Sequence, residues 1–195
     1  MNPVRFATLQ RRTGETQVRA EVVLDGTGRA DIRTGIRFLD HMLVSLAFHG
    51  RLNLDLHCTG DLDVDDHHTA EDCAIVLGQC IDGALGTREG IRRFGSAYAP
   101  LDEALARVVV DLSGRGFCRA DLGLQRERVG ELSCENVPHF FRSLAGAMRA
   151  TLHVQVLAGE NDHHRIEACF KALALALREA LAIDGRSVPS TKGAL

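Results

Sequence analysis

The chain has 195 residues, of which 45% are hydrophobic and 25% charged, as in ordinary globular proteins that bury a core. Its formal net charge of −3 gives no reason to expect nucleic acid or an anionic membrane as a partner. The first residues lack an apolar signal segment, and the apolar runs are shorter than the ~20 residues that cross a bilayer. With six cysteines and no CxxC pair, these features predict a cytoplasmic protein with reduced thiols.

Patterns in the first half of the chain follow the order strand, strand, helix, strand, helix. Residues 16–24 and 29–35 are predicted as strands, and the DGTG between them is typical of a hairpin turn. Apolar residues at helical spacing predict a helix over 38–50, and alternation predicts a strand over 51–58. A long helix follows over 68–85.

The second half repeats this order. Two strands around the turn SGRG are followed by a helix, a strand and a long helix, predicted over 106–112, 116–124, 137–150, 151–157 and 163–181. The string H-x-x-x-S-L-A begins at His41 and begins again at His139. The sequence therefore predicts an internal duplication of a ββαβα unit within one compact protein, with half-repeats over 1–90 and 91–195.

A pair of adjacent histidines stands at the start of the long helix in each half, in DDHHTAEDC and NDHHRIEAC. Residues three and four apart share a helix face, so each pair can converge with the glutamate that follows it. Adjacent histidines point about 100° apart, so such a pair is better suited to reach two ions than to grip one. The candidate metal ligands are His41, His67, His68, Glu71, His139, His163, His164 and Glu167.

The type of ion follows from the type of ligand. Imidazole and carboxylate suit Mn, Fe, Co, Ni or Zn rather than calcium, and no cysteine belongs to the pattern. A single His-His pair at a helix start is more often a solvated or capped surface feature. Capping explains neither the repeated glutamate nor the repeated upstream histidine, so the duplicated pattern favours metal sites. Asp66 and Asp162, which precede the pairs, are interpreted as helix caps or as residues that orient an imidazole.

Basic and hydroxyl side chains in the loops are candidates for binding an anionic substrate. Lys171 lies one helical turn after Glu167, where it either forms an ion pair or holds an anion. Arginine forks and backbone donors suit phosphate, although each such residue alone is typical of a solvated surface. His49 is either a helix-end cap or a site contact. The substrate-binding candidates are His49, Arg93, Arg115, Lys171, Ser190 and Lys192.

The chain resembles the imidazoleglycerol-phosphate dehydratase family of histidine biosynthesis. The resemblance rests on RRTGETQV, GIRFLDHMLVSLAFHG, DDHHTAEDCAIVLG, DLSGR, HFFRSLA, ENDHHRIEACFKAL and PSTKG, which run from Arg11 to the C-terminus. It implies an α+β fold, similar to a domain of a small-subunit ribosomal protein, in which each half is a four-stranded sheet with helices packed on one face. Gly116 stands where the family usually has a proline. Since the chain lacks an N-terminal DxDxT motif, the resemblance is to the monofunctional form.

The resemblance also implies a chemistry and an assembly. It implies two Mn²⁺ per subunit and a homo-oligomer of 24 subunits with octahedral symmetry, built from trimers, in which ligands from the two halves meet from different subunits. The implied reaction dehydrates D-erythro-imidazoleglycerol phosphate to imidazole-acetol phosphate, through a metal-bound imidazolate and a diazafulvene-like intermediate. Glu15 is the implied proton-transferring base, and its alternative is an exposed carboxylate before a strand. The competing functions are a dinuclear metallohydrolase and a non-catalytic metal-linked shell protein.

Overall fold

The computed structural model describes residues 4–193 and 195, which form ten strands and four helices. In chain order, the elements are β1 (Phe6–Arg12), β2 (Thr16–Val23), β3 (Ala30–Arg33), α1 (Arg37–Gly50), β4 (Asn53–Gly60), α2 (His67–Leu85), β5 (Phe94–Leu101), β6 (Ala104–Asp111), β7 (Phe117–Asp121), β8 (Arg128–Val129), β9 (Leu132–Ser133), α3 (Asn136–Met148), β10 (Thr151–Ala158) and α4 (Asp162–Ala180).

Each half of the chain forms a four-stranded sheet. The strand order is β1-β2-β4-β3 in the first sheet and β5-β6-β10-β7 in the second. Within each sheet the first three strands are antiparallel, and the last strand runs parallel to its neighbour. Strands β8 and β9 form a separate two-stranded ribbon. The predicted α+β fold with a four-stranded sheet in each half is confirmed, while the division at 90/91 stays a prediction.

The helices lie on the inner faces of the two sheets and pack against each other across the halves. Helix α2 covers β1 and β2, and α4 covers β5 and β6. Alternation along β2 buries Val18, Ala20 and Val22 beneath the helices, and Arg19 between them is exposed on the outer face. Helix α2 also contacts α3, and α1 contacts α4. Each long helix of one half therefore lies beside the shorter helix of the other.

The hairpin predicted at DGTG is wrong, because a later strand separates its two strands, and the strands predicted around SGRG are separated in the same way. β4 lies between β2 and β3, and β10 lies between β6 and β7. The DGTG turn instead folds around the start of β4, where Oδ1 of Asn53 accepts hydrogen bonds from the backbone N–H groups of Thr27 at 2.9 Å and Arg29 at 3.2 Å. Long-range pairing with β4 therefore overrides the local turn signal.

The sequence patterns predict three strands per half and do not indicate β1 or β5. In β1, the sequence FATLQRR alternates only between exposed and partly buried positions, so it lacks the apolar alternation of a core strand. In β5, the buried position 95 is a glycine rather than an apolar residue with a side chain, because an added Cβ would lie 2.0 Å from the carbonyl oxygen of Ala176 on α4. Both are edge strands, and each packs against the core with one leucine, Leu9 or Leu101, beside smaller or polar residues.

A buried ion-pair network joins the end of α2 to the end of α3. The Arg88 side chain is only 3% exposed and donates to the carboxylate of Asp82 and, at 3.0 Å, to the backbone oxygen of Met148. Arg149 donates to the same carboxylate from Nε at 2.8 Å and from Nη2 at 3.1 Å. This network holds the two halves together at the end of the molecule that is remote from the starts of α2 and α4.

Among the described residues, no helix is long and apolar enough to cross a bilayer. All six cysteines are free thiols, and four of them are buried. The cytoplasmic location stays a prediction.

Candidate metal centre

The first ligand cluster joins α2 of the first half to α3 of the second. His67 and Glu71, one helical turn apart on α2, face His139 on α3. Nε2 of His139 lies 3.1 Å from Oε1 of Glu71, and the rings of His67 and His139 are 4.7 Å apart between centroids. One ligand atom from each residue lies within 4.8 Å of the other two. This spacing suits a single bound ion.

The second cluster is the counterpart of the first and joins α1 to α4. Oε2 of Glu167 lies 3.2 Å from Nε2 of His41 and 3.1 Å from Nε2 of His163. Again one ligand atom from each of the three residues lies within 4.8 Å of the others. Each cluster thus combines a His/Glu pair from one half with the upstream histidine of the other, because α1 packs on α4 and α2 on α3.

The electrostatics of the second cluster keep its carboxylate ionised. Burial raises the pKa of Glu167, but hydrogen bonds from Lys171 and His41 outweigh that effect, and the pKa falls to about 2. Nζ of Lys171 lies 2.8 Å from Oε1, so Oε2 is the oxygen that faces the two imidazoles. The cluster therefore presents two nitrogen ligands and one anionic oxygen, a donor set that suits a divalent transition-metal ion.

The second histidine of each pair lies outside the cluster of its neighbour. The rings of His67 and His68 are nearly perpendicular at 79°, and those of His163 and His164 stand at 85°. Nδ1 of His68 donates to Asp61 at 3.0 Å. In the second half, Nδ1 of His164 donates to Glu103 at 2.7 Å. A proton held on Nδ1 leaves the lone pair on Nε2, which is the form of imidazole that binds a metal.

Asn136, the first residue of α3, orients His67 in the first cluster. Its Oδ1 lies 2.9 Å from Nδ1 of His67, so it accepts the Nδ1 proton and leaves Nε2 for a ligand bond. The amide group of Asn136 in turn bonds to the carboxylate of Asp66. Burial raises the pKa of Asp66, but hydrogen bonds from Ser133 and Asn136 lower it overall. Asp66 thus orients an imidazole through Asn136, and its side chain makes no helix-cap hydrogen bond.

Asp162 has neither of its predicted tasks. The cap of α4 is Asn161, whose side chain accepts from the backbone N–H of His163 at 2.9 Å. The Asp162 carboxylate accepts from the backbone N–H groups of Gln125 at 2.9 Å and Arg126 at 2.7 Å. It therefore fixes the loop after β7, and no contact of this carboxylate with an imidazole occurs in the described chain.

Comparison with known proteins settles the family. A family model described as imidazoleglycerol-phosphate dehydratase matches residues 34–177, which include the six residues of both clusters. The chain belongs to the imidazoleglycerol-phosphate dehydratase family. The predicted resemblance is confirmed, and with it the class of the enzyme, a hydro-lyase.

Individual relatives match over nearly their whole length. The chain is 54% identical to an imidazoleglycerol-phosphate dehydratase of Phaffia rhodozyma, with 99% of this chain and 97% of that protein covered. It is 53% identical to one of Chlorobium luteolum, covering 98% and 96%. A crystal structure of the Staphylococcus aureus dehydratase superposes with a TM-score of 0.82 at 39% identity, covering 91% of this chain and 99% of that one. One from Pyrococcus furiosus superposes with a TM-score of 0.84 at 36% identity, covering 96% and 100%.

Of the substrate-binding candidates, His49 and Lys171 lie beside the second cluster. Together with His41 and Glu167 they line a groove between α1 and α4. Burial and the charge of Lys171 lower the pKa of His49. A neutral imidazole and an ammonium group thus stand next to the metal-ligand candidates, where an anionic part of a substrate could bind.

The remaining basic candidates of this dehydratase meet near the C-terminal segment. Arg93 makes a two-pronged ion pair with Asp111, from Nε at 2.7 Å and Nη2 at 3.1 Å, and donates to the backbone oxygen of Pro189 at 2.9 Å. The loop that carries Arg115 lies against Leu195, since a Cβ at Gly114 would be 2.8 Å from the Leu195 carbonyl carbon. Arg93 thereby ties the PSTKG segment, which carries Ser190 and Lys192, to the second sheet.

The orienting residues Asp61, Glu103 and Asn136 were missed at the sequence level. Asp61 and Glu103 stand in polar turns, where a carboxylate is ordinarily read as solvated. Asn136 lies 69 residues from the histidine that it orients, so no local pattern joins the two. Glu103 carried one available signal, because it precedes a predicted strand of the second half as Glu15 precedes one in the first half.

Proposed function

We propose that the protein dehydrates D-erythro-imidazoleglycerol phosphate to imidazole-acetol phosphate in histidine biosynthesis, with two Mn²⁺ per subunit. The proposal is carried by the two equivalent three-ligand clusters, of which each contributes two imidazoles and one carboxylate. The names of the relatives and the matched family model support the reaction. The substrate is an imidazole with two ring nitrogens, and two metal centres are suited to hold both.

We propose that each centre is completed by a second copy of the chain. Each half of the chain carries four candidate ligands: an upstream histidine, a pair of adjacent histidines and a glutamate. Each cluster contains only three ligands, and neither cluster includes the second histidine of a pair, His68 or His164. His68 and His164 are partly exposed, and both hold Nδ1 on a carboxylate, so Nε2 is prepared for a ligand bond outside the chain. A histidine from a neighbouring subunit would then be the fourth ligand of each ion. This sharing fits the proposed assembly of 24 subunits built from trimers, in which ligands of different halves meet at interfaces.

The bound ions would act as Lewis acids that stabilise the imidazolate form of the substrate ring. The chain's own residues must then manage protons and the phosphate. Loss of the hydroxyl next to the ring gives a diazafulvene-like species, whose neighbouring carbon has an acidified proton. Removal of that proton gives the enol, which becomes the ketone, so that one water is lost in total.

Glu15 is the proposed base for that proton. It lies in the turn between β1 and β2, its side chain is 55% exposed, and its Oε1 is 3.9 Å from Nε2 of His68. If His68 binds an ion, Glu15 lies beside that ion and therefore beside the bound ring. General-base catalysis of this kind contributes about 10²–10⁴-fold to a rate.

The phosphate of the substrate is proposed to bind His49, Lys171, Arg93, Arg115, Ser190 and Lys192. His49 and Lys171 already line one groove with the second cluster. Arg93, Arg115, Ser190 and Lys192 belong to the group around the C-terminal segment. Lysine, arginine and backbone donors together provide the hydrogen-bond donors that a phosphate dianion needs.

The substitution Glu15→Gln tests this function. We expect turnover to fall by about 10²–10⁴-fold while metal content and particle mass are unchanged, because the amide keeps the shape and loses the base. The matched control is Glu21→Gln on the outer face of β2, which should leave turnover intact. Ketone formation and phosphate release are measured in the same assay. Full activity in Glu15→Gln contradicts the base assignment. In the wild-type protein, phosphate release without ketone would indicate a metallohydrolase, and the absence of both products at full metal content would indicate a shell protein.

A further inference from the structure

The turn that carries Glu15 is tied to helix α2 by three polar residues. Asp72 follows Glu71 on α2 and is buried, with 5% of its surface exposed. Its carboxylate accepts a hydrogen bond from the Thr16 hydroxyl at the start of β2. Nη1 of Arg11, near the end of β1, lies 2.5 Å from the other carboxylate oxygen. Both strands that flank the turn are therefore fixed to one carboxylate. We infer that Arg11, Thr16 and Asp72, the positioning triad, hold Glu15 in place relative to the metal ligands of α2.

Hydrogen bonds continue from the triad to the backbone of Glu15 itself. The Thr13 hydroxyl lies 3.3 Å from that of Thr16. The same Thr13 oxygen accepts from the backbone N–H groups of Glu15 at 3.1 Å and Thr16 at 2.9 Å. The turn is thus connected to α2 through Asp72, Thr16 and Thr13 in sequence. Because Glu71 and Asp72 are consecutive on one helix, these bonds hold the proposed base at a fixed position relative to a metal-ligand candidate.

The second half of the chain provides an internal comparison. Val22 pairs with Leu54 in the first sheet, and Val110 pairs with Leu152 in the second. Each residue of β1 and β2 therefore corresponds to the residue of β5 or β6 whose number is 88 higher. Arg11 faces Val18 in the first sheet, and Ala99 correspondingly faces Ala106 in the second. On the long helices, Glu71-Asp72-Cys73 corresponds to Glu167-Ala168-Cys169. The counterparts of Arg11, Thr16 and Asp72 are Ala99, Ala104 and Ala168.

All three positions of the triad are therefore alanine in the second half. Ala99 is 4% exposed, Ala104 1% and Ala168 0%, so the same helix–sheet contact forms there with three buried methyl groups. The Arg11 side chain is 36% exposed, whereas the Asp72 carboxylate is buried and loses its hydration. Such a pair seldom stabilises a fold more than well-packed apolar residues do. Packing alone therefore does not require the triad.

The two turns also differ in what their glutamates do. Glu103, the counterpart of Glu15, accepts from Nδ1 of His164 at 2.7 Å and from the backbone N–H groups of Glu160 and Asn161 at 3.0 and 2.8 Å. It is held by its own side chain and acts as an orienting group. Among the described residues, the Glu15 carboxylate makes no hydrogen bond and lies 3.9 Å from Nε2 of His68, so its turn has to be fixed from elsewhere. The triad occurs in the half whose turn carries the proposed base.

The triad acts through Glu15, so this inference rests on the proposed function. The test replaces all three residues at once by Arg11→Ala, Thr16→Ala and Asp72→Ala, which reproduces the pattern of the second half and leaves no buried charge unpaired. A misplacement of about 1 Å costs on the order of 10²-fold in rate. We expect kcat to fall about 30- to 100-fold, while KM changes less than about threefold and metal content stays at the wild-type value. Thr8→Ala, on the outer face of the same hairpin, is the matched control and keeps wild-type kcat.

Single substitutions at Thr16 separate positioning from packing. Thr16→Val keeps the shape and removes the hydroxyl, so kcat should fall with little change in KM. Thr16→Ser restores the hydroxyl and should recover most of the lost kcat. A triple variant with wild-type kcat overturns the inference, and so does one that fails to fold or to bind metal, since the triad would then be structural. Full activity in Glu15→Gln would instead overturn the proposed base, whatever the triple variant does.

Discussion

Asn136 should control the affinity of one metal centre and leave the other unchanged. Its carboxamide oxygen, 2.9 Å from Nδ1 of His67, holds that ring in the tautomer that offers Nε2 to a metal. Asn136 is 3% exposed, so water cannot replace the lost acceptor readily after Asn136→Ala. Among the described residues, neither His41 nor His163 has a comparable partner on Nδ1.

The expected loss can be stated as an affinity. Removing an orienting partner of a metal-bound histidine typically costs about 10–100-fold in metal affinity. With about 1.4 kcal/mol per tenfold change, this is a loss of about 1.4–2.8 kcal/mol at the cluster of His67, Glu71 and His139. The other cluster should keep its affinity. Metal binding to the variant should therefore occur in two separated phases.

Calorimetric titration of the metal-free protein with Mn²⁺ measures both phases. The matched control is Asn53→Ala, which also removes a carboxamide acceptor, but at the DGTG turn and away from both clusters. The control should bind both ions as the wild type does. Equal weakening of both phases in Asn136→Ala, or no weakening, would refute the assigned role of Asn136.

Two further predictions concern stability. Asp82→Ala leaves the buried Arg88 guanidinium without its carboxylate and should lower the free energy of unfolding, measured in urea, by about 3–5 kcal/mol. The control Asp55→Ala breaks the exposed pair with Arg29 and should lower it by less than about 1 kcal/mol. Similar losses in the two variants would contradict the role of the buried pair. Gly95→Ala places a Cβ 2.0 Å from the Ala176 carbonyl oxygen and should destabilise the protein by about 1–3 kcal/mol. Gly146→Ala, where no atom lies within 4 Å, should instead raise the thermal midpoint through its helix propensity, and the reverse order of the two midpoints would contradict the packing of β5 on α4.

The sequence predicted which residues are metal-ligand candidates better than it predicted how they group. Helical spacing puts Glu71 one turn after His67, and the two lie in one cluster in the structure. The third member of each cluster comes from the other half, because α1 packs on α4 and α2 on α3. That packing depends on how the two sheets face each other, and no local pattern contains it.

The hairpin prediction at DGTG failed for a related reason. The turn DGTG has the composition of a hairpin, yet pairing of β4 with both β2 and β3 uses the backbone groups that a hairpin would need. In β1, the inward-facing positions are Ala7, Leu9 and Arg11, so the apolar side is short and ends in a charge. Arg11 departs from the apolar pattern at a position close to the proposed base, as its proposed positioning role requires.

Each chain is proposed to contribute to two metal centres that only a second copy completes. Metal analysis and native mass spectrometry of the same purified sample examine both parts of this proposal. We expect two Mn²⁺ per chain in a particle of 24 subunits. We also expect loss of bound metal together with loss of the large particle when His68 and His164 are both replaced by alanine. Two firmly bound ions in a monomeric chain, or a large particle with no bound metal in the active enzyme, would contradict it.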